Sequence, residues 1–152
     1  MINFKIKFGL FKLDKNLVQI EVKVAIPKGK ISSLYSKFNS ILVKKGIDPR
    51  SLNKRELSNV FKLFVNYYVL VKSEEFKISR VVSVKCSPKL EIDCSKVKKL
   101  INEVKSRNLF DFIYELRYRL SKKHKVRLAY DINLERKIEM ELKSRIKKLQ
   151  GG

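Results

Sequence analysis

The sequence predicts an α+β fold: a single compact domain over residues 1–150, in which a largely antiparallel sheet of four to five strands, starting with an N-terminal hairpin, packs with four to five helices. Three observations lead there. The chain opens with apolar residues at period two, most of the remainder carries apolar residues three and four apart, and the strands come in hairpins or are separated by helices. With 152 residues and 44% hydrophobic content, the chain can bury a core of its own despite its charge.

The elements follow in order. Ile2, Phe4, Ile6 and Phe8 alternate with polar positions, as do Val18, Ile20, Val22, Val24 and Ile26. The polar stretch 14–16 between them turns the chain, so both runs form a hairpin with one buried face. Pro27 and Gly29 end the second strand, and Ile31, Leu34, Phe38, Ile41 and Leu42 then recur at helical spacing until Gly46, a C-terminal cap. Asn53 with Glu56 has the form of a capping box opening the next helix, amphipathic through Leu57, Val60, Phe61 and Phe64. From residue 63 to 71 that segment is apolar on nearly every side. It is central to the fold, buried by a partner protein, or already a strand, and periodicity leaves all three open.

Phe76, Ile78, Val82, Val84 and Cys86 alternate again, interrupted by Arg80, and 90–93 reads as a short returning strand. Asp93 or Ser95 caps a helix bearing Val97, Leu100, Ile101 and Val104. After Asn108 a helix carries Leu109, Phe112, Ile113, Leu116 and Leu120 on one stripe, and Val126, Leu128, Tyr130 and Ile132 form the inward face of a last strand. Asn133 caps a final helix through Leu134, Ile138, Leu142, Ile146 and Leu149. Its acidic first turn and basic last turn suit the helix dipole. Residues 151–152 are a frayed tail; a Gly-Gly end after a helix is not the extended tail of a conjugated modifier.

Cys86 and Cys94 bracket the sequence CSPKLEIDC. In a hairpin turning at 87–89, Cys86 faces Leu90 and Cys94 faces Val82, so the geometry predicts two free thiols. With only His124 as a third ligand and no CxxC, no zinc site is expected, nor any other cofactor. The absence of a signal-peptide pattern and of an apolar run near 20 residues points to a cytoplasmic protein without a membrane span.

Charge narrows the partner. The formal net charge is +21, and every third of the chain shares it: 11 basic against 3 acidic residues over 1–50, 11 against 5 over 51–100, and 14 against 7 over 101–152. A body this positive repels itself, and phosphates lying against it relieve that repulsion, so nucleic acid is the expected partner. A Lys-rich, thermophile-like composition is the plainer account, weakened because Glu does not keep pace with Lys.

The stretch 114–127 concentrates the signal. On a helix from Leu109, Leu116 and Leu120 point to the core while Tyr114, Tyr118 and Lys122 share the opposite side. Arg117 and Arg119 flank them, Lys123 follows in a turn, and Lys125 and Arg127 face outward from the strand beyond. Rings between cations suit a nucleic acid whose bases stack while Lys and Arg neutralise phosphates. The plainer account has the tyrosines covered by another helix or subunit and the cations solvated. Two further basic surfaces are candidates: Arg136, Lys137, Lys143, Arg145, Lys147 and Lys148 on the last helix, and Lys37, Lys44 and Lys45 on the first.

Catalytic patterns are weaker. Glu21-Val22-Lys23 matches the Glu-x-Lys half of a metal-dependent nuclease signature, where a carboxylate holds Mg²⁺ and the lysine positions water. Yet the same triplet recurs at Glu75, Glu103, Glu135 and Glu141, as a Lys-rich chain produces by chance, and Asp14 lies in the turn. A lone His124 among cations is a turn residue before it is a general base. Glu91 with Asp93 and Asp131 with Glu135 are acidic pairs explained by capping or by neighbouring cations, and none of the five glycines forms a phosphate loop. The expected function is non-enzymatic DNA or RNA binding, largely through the phosphate backbone. The alternative is an accessory subunit of a replication, transcription or ribonucleoprotein complex, with a protein partner burying 63–71.

Overall fold

The second strand organises the molecule, because every inward residue on it, from Val18 through Ile20, Val22 and Val24 to Ile26, is removed from solvent. The structure, a computed structural model, describes residues 2–105 and 107–151. Strand β1 (Ile2–Lys12) and strand β2 (Lys15–Ile26) form the hairpin, followed by helices α1 (Lys28–Lys44) and α2 (Lys54–Val71). Strand β3 (Ile78–Cys86), helices α3 (Cys94–Val104) and α4 (Leu109–His124), strand β4 (Ala129–Tyr130) and helix α5 (Leu134–Gln150) complete the order. The strands lie β3-β2-β1-β4, each neighbouring pair antiparallel, and the fold is α+β. Beyond Leu10 and Phe11, which meet β4, residues 2–9 of β1 have no third-strand partner among the described residues.

One face of the sheet carries the helices. Phe38 of α1 packs on Phe61 and Phe64 of α2, and Phe8 of β1 packs edge-on against Phe112 of α4 and Tyr130 of β4. Each fully buried Leu, Ile, Val or Phe contributes about 1.5–3 kcal/mol, so these stripes hold the helices down. The residues of β1 and β2 that project the other way, from Asn3, Lys5 and Lys7 to Gln19, Glu21, Lys23 and Ala25, are exposed or half-buried. That second face is open.

Local chemistry explains most boundaries. Gly46, at φ +77°, ends α1: its N–H donates to the Val43 carbonyl while Ile47 donates to Leu42 and buries its own side chain. Asn53, Asp93 and Asn108 each accept a backbone N–H in the first turn of α2, α3 and α4. At α5 the expected cap is replaced: Asn133 makes no side-chain cap, and Asp131 instead accepts the Asn133 N–H at 2.9 Å.

One open sequence expectation is narrowed and others are corrected. Segment 63–71 is the second half of α2, and Phe64, Val65, Val69 and Leu70 are buried by this chain's own strands and helices; only Val71 reaches an exposed position. The returning strand at 90–93 does not form. The chain turns at Pro88 and Lys89 and loops back instead, which puts Cys94 at the first position of α3 beside Cys86. The two are joined in a disulfide with Cα atoms 5.9 Å apart, so the thiols are not free and give no argument for a reducing compartment. In β3, irregular pairing sets Val81 opposite Val22, so Val81 rather than Val82 packs on the core. The last strand is only two residues long, with Ile132 86% exposed beyond it. Gly151 continues the end of α5 with a hydrogen bond to the Lys147 carbonyl; Gly152 lies outside the described residues.

Among the described residues no helix is long and apolar enough to cross a membrane.

Candidate nucleic-acid interface

Helix α4 separates its two sides cleanly. Leu109, Phe112, Ile113, Leu116 and Leu120 are buried, while Tyr114 and Tyr118, one turn apart, are 65% and 48% exposed. Among the described residues no other helix covers the tyrosines. Their rings lie nearly parallel, 11° between planes and 6.4 Å between centroids, and the Lys122 ammonium sits 5.7 Å from the Tyr118 centroid. That arrangement fixes a positive charge at one end of an aromatic ledge.

The segment after α4 makes the opposing wall. Lys125 takes up a left-handed conformation, φ +58°, which reverses the chain so that the Val126 N–H reaches the Leu120 carbonyl at 3.2 Å. Val126 and Leu128 then turn inward, and Arg127 stays exposed. Arg117 ties the wall to the helix, its Nε donating to the Leu128 carbonyl at 2.7 Å. Tyr114, Arg117, Tyr118, Ser121, Arg127 and Leu128 thus line a shallow groove of about 320 Å³.

The eight residues singled out in the sequence do not all meet there. Tyr114, Arg117, Tyr118 and Arg127 share the groove, Lys122 stands over its end, and Lys125 is exposed at the turn. Arg119 and Lys123 lie on the flank that faces α3. Arg119 donates to Glu103 at 2.7 Å and to Glu115 at 3.4 Å, and Lys123 reaches Glu103 at 3.5 Å. Partial burial pushes the Glu103 carboxyl up, but the Arg119 hydrogen bond and the Lys123 charge outweigh it and hold the net value below the usual glutamate range. Arg119 and Lys123 tether α3 to α4, and a phosphate would have to compete with carboxylates already bound.

The other sequence candidates are also placed. Glu21 lies on the open sheet face 3.7 Å from Lys7, and Asp14 sits in the hairpin turn. Asp131 is bonded to Lys137 at 2.6 Å, and Glu91 to Lys12. Among the described residues no three His, Cys, Asp or Glu side chains converge as a metal site. His124 ends α4 beside Lys96, Lys99, Glu103 and Lys123. On α5, Lys137, Lys143 and Arg145 each pair with a carboxylate, and Lys37 of α1 lies over the Tyr68 ring. Comparison with protein-family models, with curated proteins and with solved structures returns no match.

Proposed function

We propose that the protein binds nucleic acid without catalysing a reaction on it, gripping the phosphate backbone with cations and stacking bases on Tyr114 and Tyr118. The observation that carries this reading is the near-parallel, exposed tyrosine pair with Lys122 over one ring and Arg117 and Arg127 beside it. Rings left 65% and 48% exposed lie outside the core, and every base offers a face to stack on, so the groove accepts a strand with little regard to sequence. In a chain of net charge +21, cations bring the strand in from a distance and the tyrosines hold it.

Oligonucleotide binding by anisotropy, at two salt concentrations, tests the reading. Tyr114→Ala/Tyr118→Ala is expected to lose about 1–3 kcal/mol per base no longer stacked, with little change in salt dependence. Lys122→Glu is expected to flatten the salt dependence as well. Unchanged affinity and unchanged slope in both variants would remove the groove from the function. In the accessory-subunit reading the tyrosines themselves contact the partner protein, since 63–71 packs inside the chain; the isolated protein then binds oligonucleotides poorly at any salt.

A further inference from the structure

The open face of the sheet carries a feature that hydrophobic packing does not explain. Pairing sets Lys5 of β1 directly opposite Lys23 of β2, and Lys23 directly opposite Arg80 of β3. Opposite residues on neighbouring strands project from the same face with Cβ atoms roughly 4.5–5.5 Å apart, so three cations stand in one row across three strands. Like charges so placed repel, and among the described residues none of the three has an ion-pair partner. The next row is Lys7, Glu21 and Ser83, with one ion pair, and beyond it Gly9 and Gln19 lead to Lys85. Asn3, Gly9, Ala25 and Ser83, small or polar, share this face with the row.

We infer that this sheet face is a second contact surface for nucleic acid, in which the Lys5–Lys23–Arg80 row holds backbone phosphates. The inference rests on the nucleic-acid reading but concerns a different face from the α4 groove. Charge complementarity selects the occupant: a row of unpaired cations on a polar sheet face suits a polyanion, and the repulsion within the row is relieved when phosphates lie on it. A stacking contribution is not expected here, because the platform bears no aromatic ring between the three cations. The face acts through charge alone.

The test compares wild type, Lys5→Gln/Lys23→Gln/Arg80→Gln, and Tyr114→Ala/Tyr118→Ala for binding to one single-stranded oligonucleotide across a salt series, with a thermal melt of each. The sheet variant is expected to bind about 10- to 100-fold more weakly at low salt, and its log–log salt slope to be shallower by about 2, as for three lost phosphate contacts. Its melting temperature should be unchanged or higher, because the mutual repulsion is gone. Should the triple variant fail to fold, the exposed Lys5→Gln alone serves, with a slope shallower by about 0.7. Wild-type affinity and slope in the sheet variant, while the tyrosine variant binds weakly, overturn this inference and leave the groove intact. The reverse pattern removes the groove and keeps the sheet. Absence of oligonucleotide binding by the wild type overturns both. Tighter wild-type binding to polyglutamate or to phosphatidylserine vesicles, lost in the sheet variant while oligonucleotide binding persists, reassigns the face to another partner and overturns the inference.

Discussion

Leu13 holds a left-handed backbone, φ +57°, at the tip of the first hairpin, with its side chain 92% exposed. A branched residue there carries strain of roughly 1–2 kcal/mol with no packing in return. Leu13→Asn, which tolerates that conformation, is therefore expected to raise the melting temperature, as read by circular dichroism. A different residue-scale term is electrostatic. The Lys137 hydrogen bond, joined by the Asn133 N–H, holds the Asp131 carboxyl below the usual aspartate range against the opposing effect of partial burial. The folded-state value is thus lower than the unfolded one, so the associated stability is present above about pH 3.9 and is lost as pH falls through the folded value. Melts on an acid series should show a shallower loss for Asp131→Asn than for the wild type. The Leu13 strain is not visible in the sequence, where Leu13 is one more apolar residue near a turn, because it depends on backbone angles. For Asp131 the sequence points to a neighbouring cation as partner, and the structure identifies it as Lys137, six residues away.

At the scale of the elements, periodic stripes were legible because burial imposes them: every buried residue of α4 lies on the stripe read from the sequence. What the stripes do not carry is register. The hairpin pairs Lys12 with Lys15 and Phe11 with Asn16, then shifts by one so that Leu10 meets Val18, and this slip brings Lys5 opposite Lys23. A trace of it is present in the sequence, since Leu17 and Val18 are adjacent apolar residues that break the alternation. The disulfide was missed for a related reason: an assumed strand at 90–93 set the facing of Cys94, whereas the chain loops there. Closing a loop of this length stabilises the fold by about 2–3 kcal/mol in the chain-entropy account, so Cys94→Ser should lower the melting temperature and speed proteolysis within 87–93. The candidate site was legible in Tyr114, Tyr118 and Lys122, which share one helix face. It was not legible in Arg119 and Lys123, whose partner Glu103 comes from another helix. Arg119→Gln and Lys123→Gln are accordingly expected to weaken oligonucleotide binding far less than Lys122→Gln, while Arg119→Gln lowers thermal stability by loosening α3 from α4.

The whole molecule is held together against its own charge. With +21 on 152 residues, raising ionic strength screens the repulsion over about 10 Å at 0.1 M, and the melting temperature is expected to rise with sodium chloride until screening is complete. A flat or falling melting temperature across that series would mean that local ion pairs, such as Arg119 with Glu103, outweigh the net repulsion. The same charge sits beside an unfinished sheet. Because β4 is only two residues long, the backbone of β1 from residue 2 to 9 has no third strand among the described residues, and Lys5 and Lys7 are exposed along it. A bare strand edge is a template on which a second chain can add, and lysines on such edges discourage it. The short strand therefore makes colloidal behaviour depend on the state of two lysines: whatever neutralises Lys5 and Lys7, whether salt or a bound polyanion, also lifts the guard against strand-to-strand stacking of one copy on the next.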